Sequence, residues 1–332
     1  MTVADLQKPE SAVVAADGVT HFHIAATGHS LNYLPQYMAE RRGFFKTQGL
    51  ELSVSVPSPW DNVLEELADG TAAAALGGIW VPAMYRDTAK SYTTFAQLAN
   101  RCPLALIQRN APGSSSAASA TPFQLADVVG KTVLLKSGNG ASVGLYFKML
   151  LREQGIDPTA VHFVQDLAGP MLSKLFQGGM GDYFLIDIVS ARIMASKNPD
   201  VSVVLEMATA GGDIPWSVYY CETASMADAP AVVDAQRRFC IALDQGMQYV
   251  QENDAETYRD DLAALFPAVP ADLLVEIVNL YRANRMWTST AVSQHGFDRW
   301  QKGIADGRLT KAPLAYEAMV ANGIEAVKKT VQ

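Results

Sequence analysis

The sequence predicts an α/β protein of two lobes, each built from a mainly parallel sheet with helices on its faces. Three observations predict it. From Thr20 onward short β-rich runs alternate with segments of helical periodicity. The alternation stops at 111–122, APGSSSAASATP, and then resumes in the same pattern. A chain of 332 residues with 49% hydrophobic content is long enough for two cores.

Residues 21–26 read as the first strand. Apolar Leu34, Tyr37, Met38 and Phe45 fall at helical spacing over 32–45, and Gly49 closes the turn before a strand at 50–56. A helix at 62–68, a short strand of small residues at 72–76, and strands at 95–98 and 104–109 complete the first series. The second series runs through strand 132–136, helix 142–154, strand 161–164, helix 171–177, strand 183–186, a helix from Ile188 and strand 201–207. Residues 216–220 read as a returning strand, and the chain beyond Ala229 is mostly helical. Crossings near 110–122 and 208–215 then divide the chain. Residues 1–19 are expected to be a disordered N-terminal segment, 20–112 with 213–332 a discontinuous first lobe, and 122–212 the second lobe.

Composition narrows the function classes. With 26 Lys+Arg against 34 Asp+Glu the formal charge is −8, which repels a phosphate backbone, so no nucleic-acid partner is expected. No run reaches the roughly 18 apolar residues of a membrane span. Three cysteines without C-x-x-C spacing and five histidines without an H-E-x-x-H pattern indicate neither a disulfide framework nor a metal site, and no cofactor motif is present. The first 18 residues lack a basic n-region and a continuous apolar h-region. As written the chain is therefore expected to be cytoplasmic, and periplasmic if a leader was removed or the start lies elsewhere.

In open parallel sheets ligands bind beyond the carboxyl ends of the strands, so the loops there are the site candidates. After strand one comes TGHSLN, where Gly28, His29, Ser30 and Asn32 lead into a helix N-terminus able to attract an anion. Ser30 or Asn32 reads equally well as that helix's N-cap. The loop KSGNGAS supplies Lys136, Ser137, Gly138, Asn139 and Gly140, combining a full charge with glycines that let backbone amides approach a carboxylate, sulfonate or phosphate. It is not a Walker A sequence, because the G-K-[ST] ending is missing. Trp60 and Asp61 in PSPWD, Gly78 and Trp80 in GGIW, and Trp216 and Tyr183 could wall a planar ligand, although any one Trp is more often a packing residue. Asp187 could receive a ligand amine or simply cap the next helix. His29 and Asp187 are the candidate acid–base residues; Cys102 would be a nucleophile only with His29 in reach.

The run YLPQYMAERRGFFKTQGLEL at 33–52, with its core A-x-x-x-G-[FY]-F-x-x-x-G-L-[DE], resembles the opening helix and turn of the SsuA/THI5 (NMT1-like) group. FQLADVVGKTV at 123–133 resembles that group's entry into the second lobe. The resemblance covers about residues 20–260 in element order. It implies a periplasmic-binding-protein-like (type II) fold, and in most members a substrate-binding subunit for sulfonates, nitrate, taurine or pyrimidine precursors. Such a subunit would take a small anionic or aromatic molecule and hand it to an ABC importer permease. A minority of members are enzymes. The Lys and His of the pyrimidine synthases would fall at Gly77 and Val81, and their cysteine motif at 211–217, where no cysteine occurs. The Cys and Arg of the aryl-sulfinate desulfinases would fall near Ser30 and Ala75. Binding without turnover is thus the leading expectation, and a cytosolic lyase or hydrolase on a small aromatic acid is the alternative.

Overall fold

The computed structural model describes residues 12–14, 18–86, 88, 90–110, 122–135, 142–165, 167, 169–228 and 230–321. Eleven strands are found among them: β1 Ala12–Val14, β2 Thr20–Ala26, β3 Leu50–Ser55, β4 Ala74–Gly77, β5 Tyr92–Ala99, β6 Leu104–Arg109, β7 Thr132–Leu135, β8 His162–Val164, β9 Tyr183–Asp187, β10 Val201–Glu206 and β11 Ser217–Glu222. They form a six-stranded and a five-stranded sheet, each flanked by helices, so the two-lobed α/β fold is present.

In the first sheet β2 pairs in parallel with β3 and β4, while β11 lies antiparallel between β4 and β5. In the second, β9 is parallel to β7 and β7 to β8, and β6 is antiparallel to both β9 and β10. The alternation in β2 explains its place: Thr20 and Phe22 point inward and His21 outward, and from Ile24 to Ala26 every residue is buried as the strand passes under helices on both faces. Outward-facing His21 meets Glu51 at 3.2 Å, and His23 bonds Ser53 and Ser55 of β3. Gly43 (φ 73°) ends the Leu34–Arg41 helix and Gly49 (φ 66°) turns the chain into β3, so the glycines of the A-x-x-x-G…G pattern sit where only a left-handed backbone closes the turn.

Four expectations about the domains need correction. Ala12–Val14, expected to be disordered, pairs antiparallel with β2. β6, assigned above to the first lobe, belongs to the second sheet; the crossing is at residues 100–103, not at 110–122. The sheets, expected to be mainly parallel, mix directions: β6 and β11, which enter from the crossings, run antiparallel to their neighbours, as β1 does to β2. The tail beyond residue 213 is shared between the lobes. Thr290 and Met286 accept from the Gln97 and Asn100 amides along the edge of β5, and Met319 accepts from Thr94. Between these contacts the Gln294–Asp306 helix packs on Ser142–Glu153 of the second lobe, with Trp300 edge-on to Tyr146 at 6.1 Å.

The two crossings are tied together. Ile214 N donates to Asn100 O (3.0 Å), Trp216 N to Ala99 O (2.9 Å), and Arg101 pairs with Asp213 at 2.8 Å. Arg299 joins them from the tail: its guanidinium grips Glu153 through two 2.7 Å bonds and donates to the Gly211 and Asp213 carbonyls. A planar fork with several fixed donors suits this task better than a flexible ammonium.

Candidate functional site

Parallel strands deliver their following loops to one end of a sheet, and here residues that follow strands of both sheets line one space. The result is a cavity of about 310 Å³ between the lobes. From the first sheet the segment after β2 contributes Gly28, His29, Ser30, Asn32 and Tyr33; from the second, Asp187, Ile188 and Val189 follow β9, Pro103 and Leu104 lead into β6, and Val143 opens a helix. Trp216 comes from the returning crossing, and the helical tail adds Phe266, Val269 and Tyr281. A narrow annex of about 20 Å³ shares Tyr33 and Trp216 with this chamber and is walled by Trp60, Trp80, Gly77, Gly78, Thr27 and Ser217.

Most of the expected site residues therefore converge: Gly28, His29, Ser30, Asn32, Asp187 and Trp216 on the chamber, and Trp60, Gly78 and Trp80 on the annex. Asp61 does not line either space and is exposed. Lys136, Ser137, Gly138, Asn139 and Gly140 lie outside the described residues. Tyr183 is buried under Phe123, away from the cleft, at a ring distance of 5.8 Å. Cys102 is fully buried, and burial holds its thiol well above the ordinary value, which removes it as a nucleophile.

Several polar groups are already committed. Asn32 accepts from Ser30 Oγ, donates from Nδ2 to Ser217 Oγ at 3.0 Å, and its carbonyl takes the Trp287 indole N–H at 2.8 Å. It stitches the segment after β2 to the start of β11 and builds the cavity floor, whereas Ser30 makes no side-chain cap bond. His29 stacks on Tyr37 (4.8 Å) and Phe266 (4.7 Å), and its Nε2 donates to Leu265 O at 3.1 Å. That ring is pinned as a bridge between the first helix and the tail, with the nitrogen at Leu265 held as the donor. Asp187 accepts from Ser190 N at 2.9 Å as the N-cap of the Ile188–Lys197 helix, which is the capping alternative. Tyr33, at the junction of chamber and annex, lies 3.4 Å from Thr27 Oγ1; burial raises its phenol pKa, with hydrogen bonds to Thr27 and Ser217 partly offsetting this, so it stays a neutral donor.

The annex depends on Gly78. A β-carbon at Gly78 would sit 2.5 Å from Trp80 Cδ1 and 2.6 Å from its Nε1, so this edge of the Trp80 indole closes on the residue only because no side chain is there. Trp80 in turn meets Trp60 edge-on at 5.6 Å. Gly78→Ala is expected to drive the Trp80 ring out of position, lowering stability by about 1–3 kcal/mol and changing the near-ultraviolet circular dichroism of the Trp60–Trp80 pair. An unaltered spectrum would mean that the ring does not rest there.

Phe266, Val269 and Tyr281 lie in the helical tail and carry no strand-end signal that would mark them in the sequence. Gly77 and Ser217 adjoin Gly78 and Trp216 in the sequence and line the same annex.

Among the described residues no helix is long and apolar enough to cross a membrane, and no group of three metal-binding side chains occurs. The sequence profile of the NMT1/THI5-like family matches residues 30–257. The chain belongs to that family. The matched span takes in Ser30 to Tyr33, both crossings and the long Pro230–Glu252 helix, whereas Gly28, His29, Phe266, Val269 and Tyr281 of the cavity lie outside it. The YtlA protein of Bacillus subtilis (strain 168) is 23% identical over 277 residues, 81% of this chain and 78% of its own length. Among solved structures, the periplasmic aliphatic sulphonate binding protein SsuA from Escherichia coli superposes with a TM-score of 0.68 at 14% identity, covering 92% of this chain and 98% of SsuA. The periplasmic nitrate-binding protein NrtA from Synechocystis PCC 6803 gives 0.62 at 11% identity, covering 94% of this chain and 89% of NrtA. At these identities the structures establish a shared fold.

Proposed function

We propose that this NMT1/THI5-like chain is a solute-binding protein whose two lobes close on one small molecule and present it to an ABC importer permease. The observation that carries the reading is the 310 Å³ cavity, to which both lobes, a crossing and the tail all contribute wall. A ligand that touches both lobes stabilises the closed arrangement by its differential contacts, and the paired crossings are the natural axis for that motion. The volume lies in the range of small-molecule sites, with aromatic walls and few polar groups. Solved relatives of this fold that are named as periplasmic sulphonate- and nitrate-binding proteins support the class of function, and with it an encounter with the solute outside the cytoplasmic membrane.

Catalysis finds less support. Of the candidate acid–base residues, His29 is stacked and bonded to a carbonyl, and Asp187 caps a helix. The test is native mass spectrometry of the protein purified from its own host, before and after gentle unfolding. A retained small molecule, recovered unchanged after incubation with the protein, is expected, together with fractionation of the protein outside the cytoplasm. Conversion of that molecule to a product would replace this reading with the enzyme.

A further inference from the structure

We infer that Tyr33 is the specificity-determining residue of the cleft, and that its hydroxyl selects a solute presenting a bare carbonyl oxygen where the chamber meets the annex. This rests on the solute-binding reading. Among the described residues, Tyr33 and Trp216 are the two that line both spaces. Each brings a ring to the junction, and Tyr33 also brings a hydroxyl that neighbouring hydrogen bonds orient.

The direction of those bonds decides what the hydroxyl does for a solute. Ser30 Oγ donates to Asn32 Oδ1, and the other end of the same amide donates from Nδ2 to Ser217 Oγ at 3.0 Å. The Trp287 indole holds the Asn32 backbone carbonyl, so the amide keeps this place. Ser217 Oγ, having accepted, has its own proton left to give, and the Tyr33 hydroxyl is within its hydrogen-bonding reach. Every link thus donates in one sense, from Ser30 to Asn32 to Ser217 to Tyr33, and bonds aligned in this way strengthen one another. The Tyr33 proton comes last. Burial keeps the phenol protonated at neutral pH, so that proton is present to be given. Thr27 Oγ1 faces it at 3.4 Å, well beyond the usual O–H···O length of about 2.7–2.8 Å. A solute acceptor at ordinary bonding distance therefore takes the proton from Thr27, whereas a solute donor meets an oxygen already receiving from Ser217. The annex beyond the hydroxyl measures about 20 Å³, room for roughly one water-sized atom. One oxygen enters it, and any second oxygen on the same solute stays in the chamber.

Equilibrium dialysis of the full chain against three probes of one shape tests this: 4-methylacetophenone, 4-methylbenzoate and 4-isopropyltoluene. They keep the carbonyl oxygen, keep it with a charge, and replace it by a methyl group. At least one carbonyl probe is expected to bind about tenfold or more tightly than the hydrocarbon; preference for the ketone marks a neutral solute, preference for the carboxylate a charged one. Tyr33→Phe, which keeps the ring, should weaken the favoured probe about tenfold and leave 4-isopropyltoluene unchanged, so that the preference for the carbonyl disappears. A ring that merely shapes the cleft would move all three alike. Equal or tighter binding of 4-isopropyltoluene to the unsubstituted chain overturns the inference, whether or not the variant folds, and so does a preference that survives in folded Tyr33→Phe protein. If no probe binds while native mass spectrometry of the same preparation finds a retained small molecule, a molecule without a carbonyl oxygen, or its undiminished retention by Tyr33→Phe, overturns the inference and leaves the solute-binding reading standing; a carbonyl compound lost from the folded variant supports both. If nothing is retained either, both fall.

Discussion

Replacing Gly246 by valine is expected to lower the unfolding free energy by about 3 kcal/mol or more, at the upper end of what overpacking does. Gly246 lies inside the Pro230–Glu252 helix, where glycine is a poor helix former; on propensity alone valine there should gain about 0.3 kcal/mol. Contact reverses the sign. A β-carbon at Gly246 would stand 2.3 Å from the Pro35 carbonyl oxygen and 2.9 Å from the Ala39 methyl, both on the Leu34–Arg41 helix. The obstacle is backbone, which cannot rotate away, and the long helix is held on its other contacts by Phe239 stacked on Phe22 and Phe45 at 5.2 Å each. The Leu34–Arg41 helix must therefore yield, and the Leu31–Tyr33 turn that precedes it carries Asn32 and Tyr33 of the cavity floor and junction. Denaturant titration should show the midpoint falling while the slope is kept. A midpoint at or above that of the unsubstituted protein would show that the two helices are farther apart than this contact requires.

The same region shows why parts of the fold were legible in the sequence and others were not. Gly43 and Gly49 could be placed because a left-handed turn demands a glycine at each, and such a demand is local. The apolar spacing of Leu34 and Met38 likewise follows from helical geometry alone. The sheet to which a strand belongs is not a local property. β6 has the composition of any buried strand, and only its pairing with β9 and β10 assigns it to the second lobe. Its direction is equally invisible, since periodicity of two is the same for parallel and antiparallel neighbours. The site divides along the same line. Residues that directly follow strands, such as Gly28 to Asn32 and Gly78, could be found from the rule about carboxyl ends, whereas Phe266 and Tyr281 reach the cavity through the packing of helices far along the chain. The position of His29 in the loop can be read locally, but its stacking between Tyr37 and Phe266 depends on a residue far along the chain.

Trp216→Ala is expected to reduce the affinity for the retained solute about a hundredfold, equivalent to roughly 2.7 kcal/mol, the scale of a central aromatic anchor. Tyr33 and Trp216 both border the two spaces, and Trp216 brings the larger ring. Trp216 lines both the chamber and the annex, its backbone N–H is fixed to Ala99 O on the crossing, and its ring meets Tyr146 edge-on at 5.5 Å. Tyr146 is itself held against Gly211 of the crossing, where a β-carbon would collide with its hydroxyl at 1.8 Å, and against Trp300 of the tail. The indole thus joins the ligand space to the segment about which the lobes would move, so its loss removes a wall and loosens the coupling between binding and closure. Only half-buried, it contributes less to the core than a fully enclosed Trp, and the thermal midpoint should fall by no more than a few degrees, as for a loss of about 1 kcal/mol. Protein purified in parallel with the unsubstituted chain should then fold normally and carry little or no solute in native mass spectrometry. Retention of solute at the original level by a folded Trp216→Ala protein would place the binding site outside this cleft.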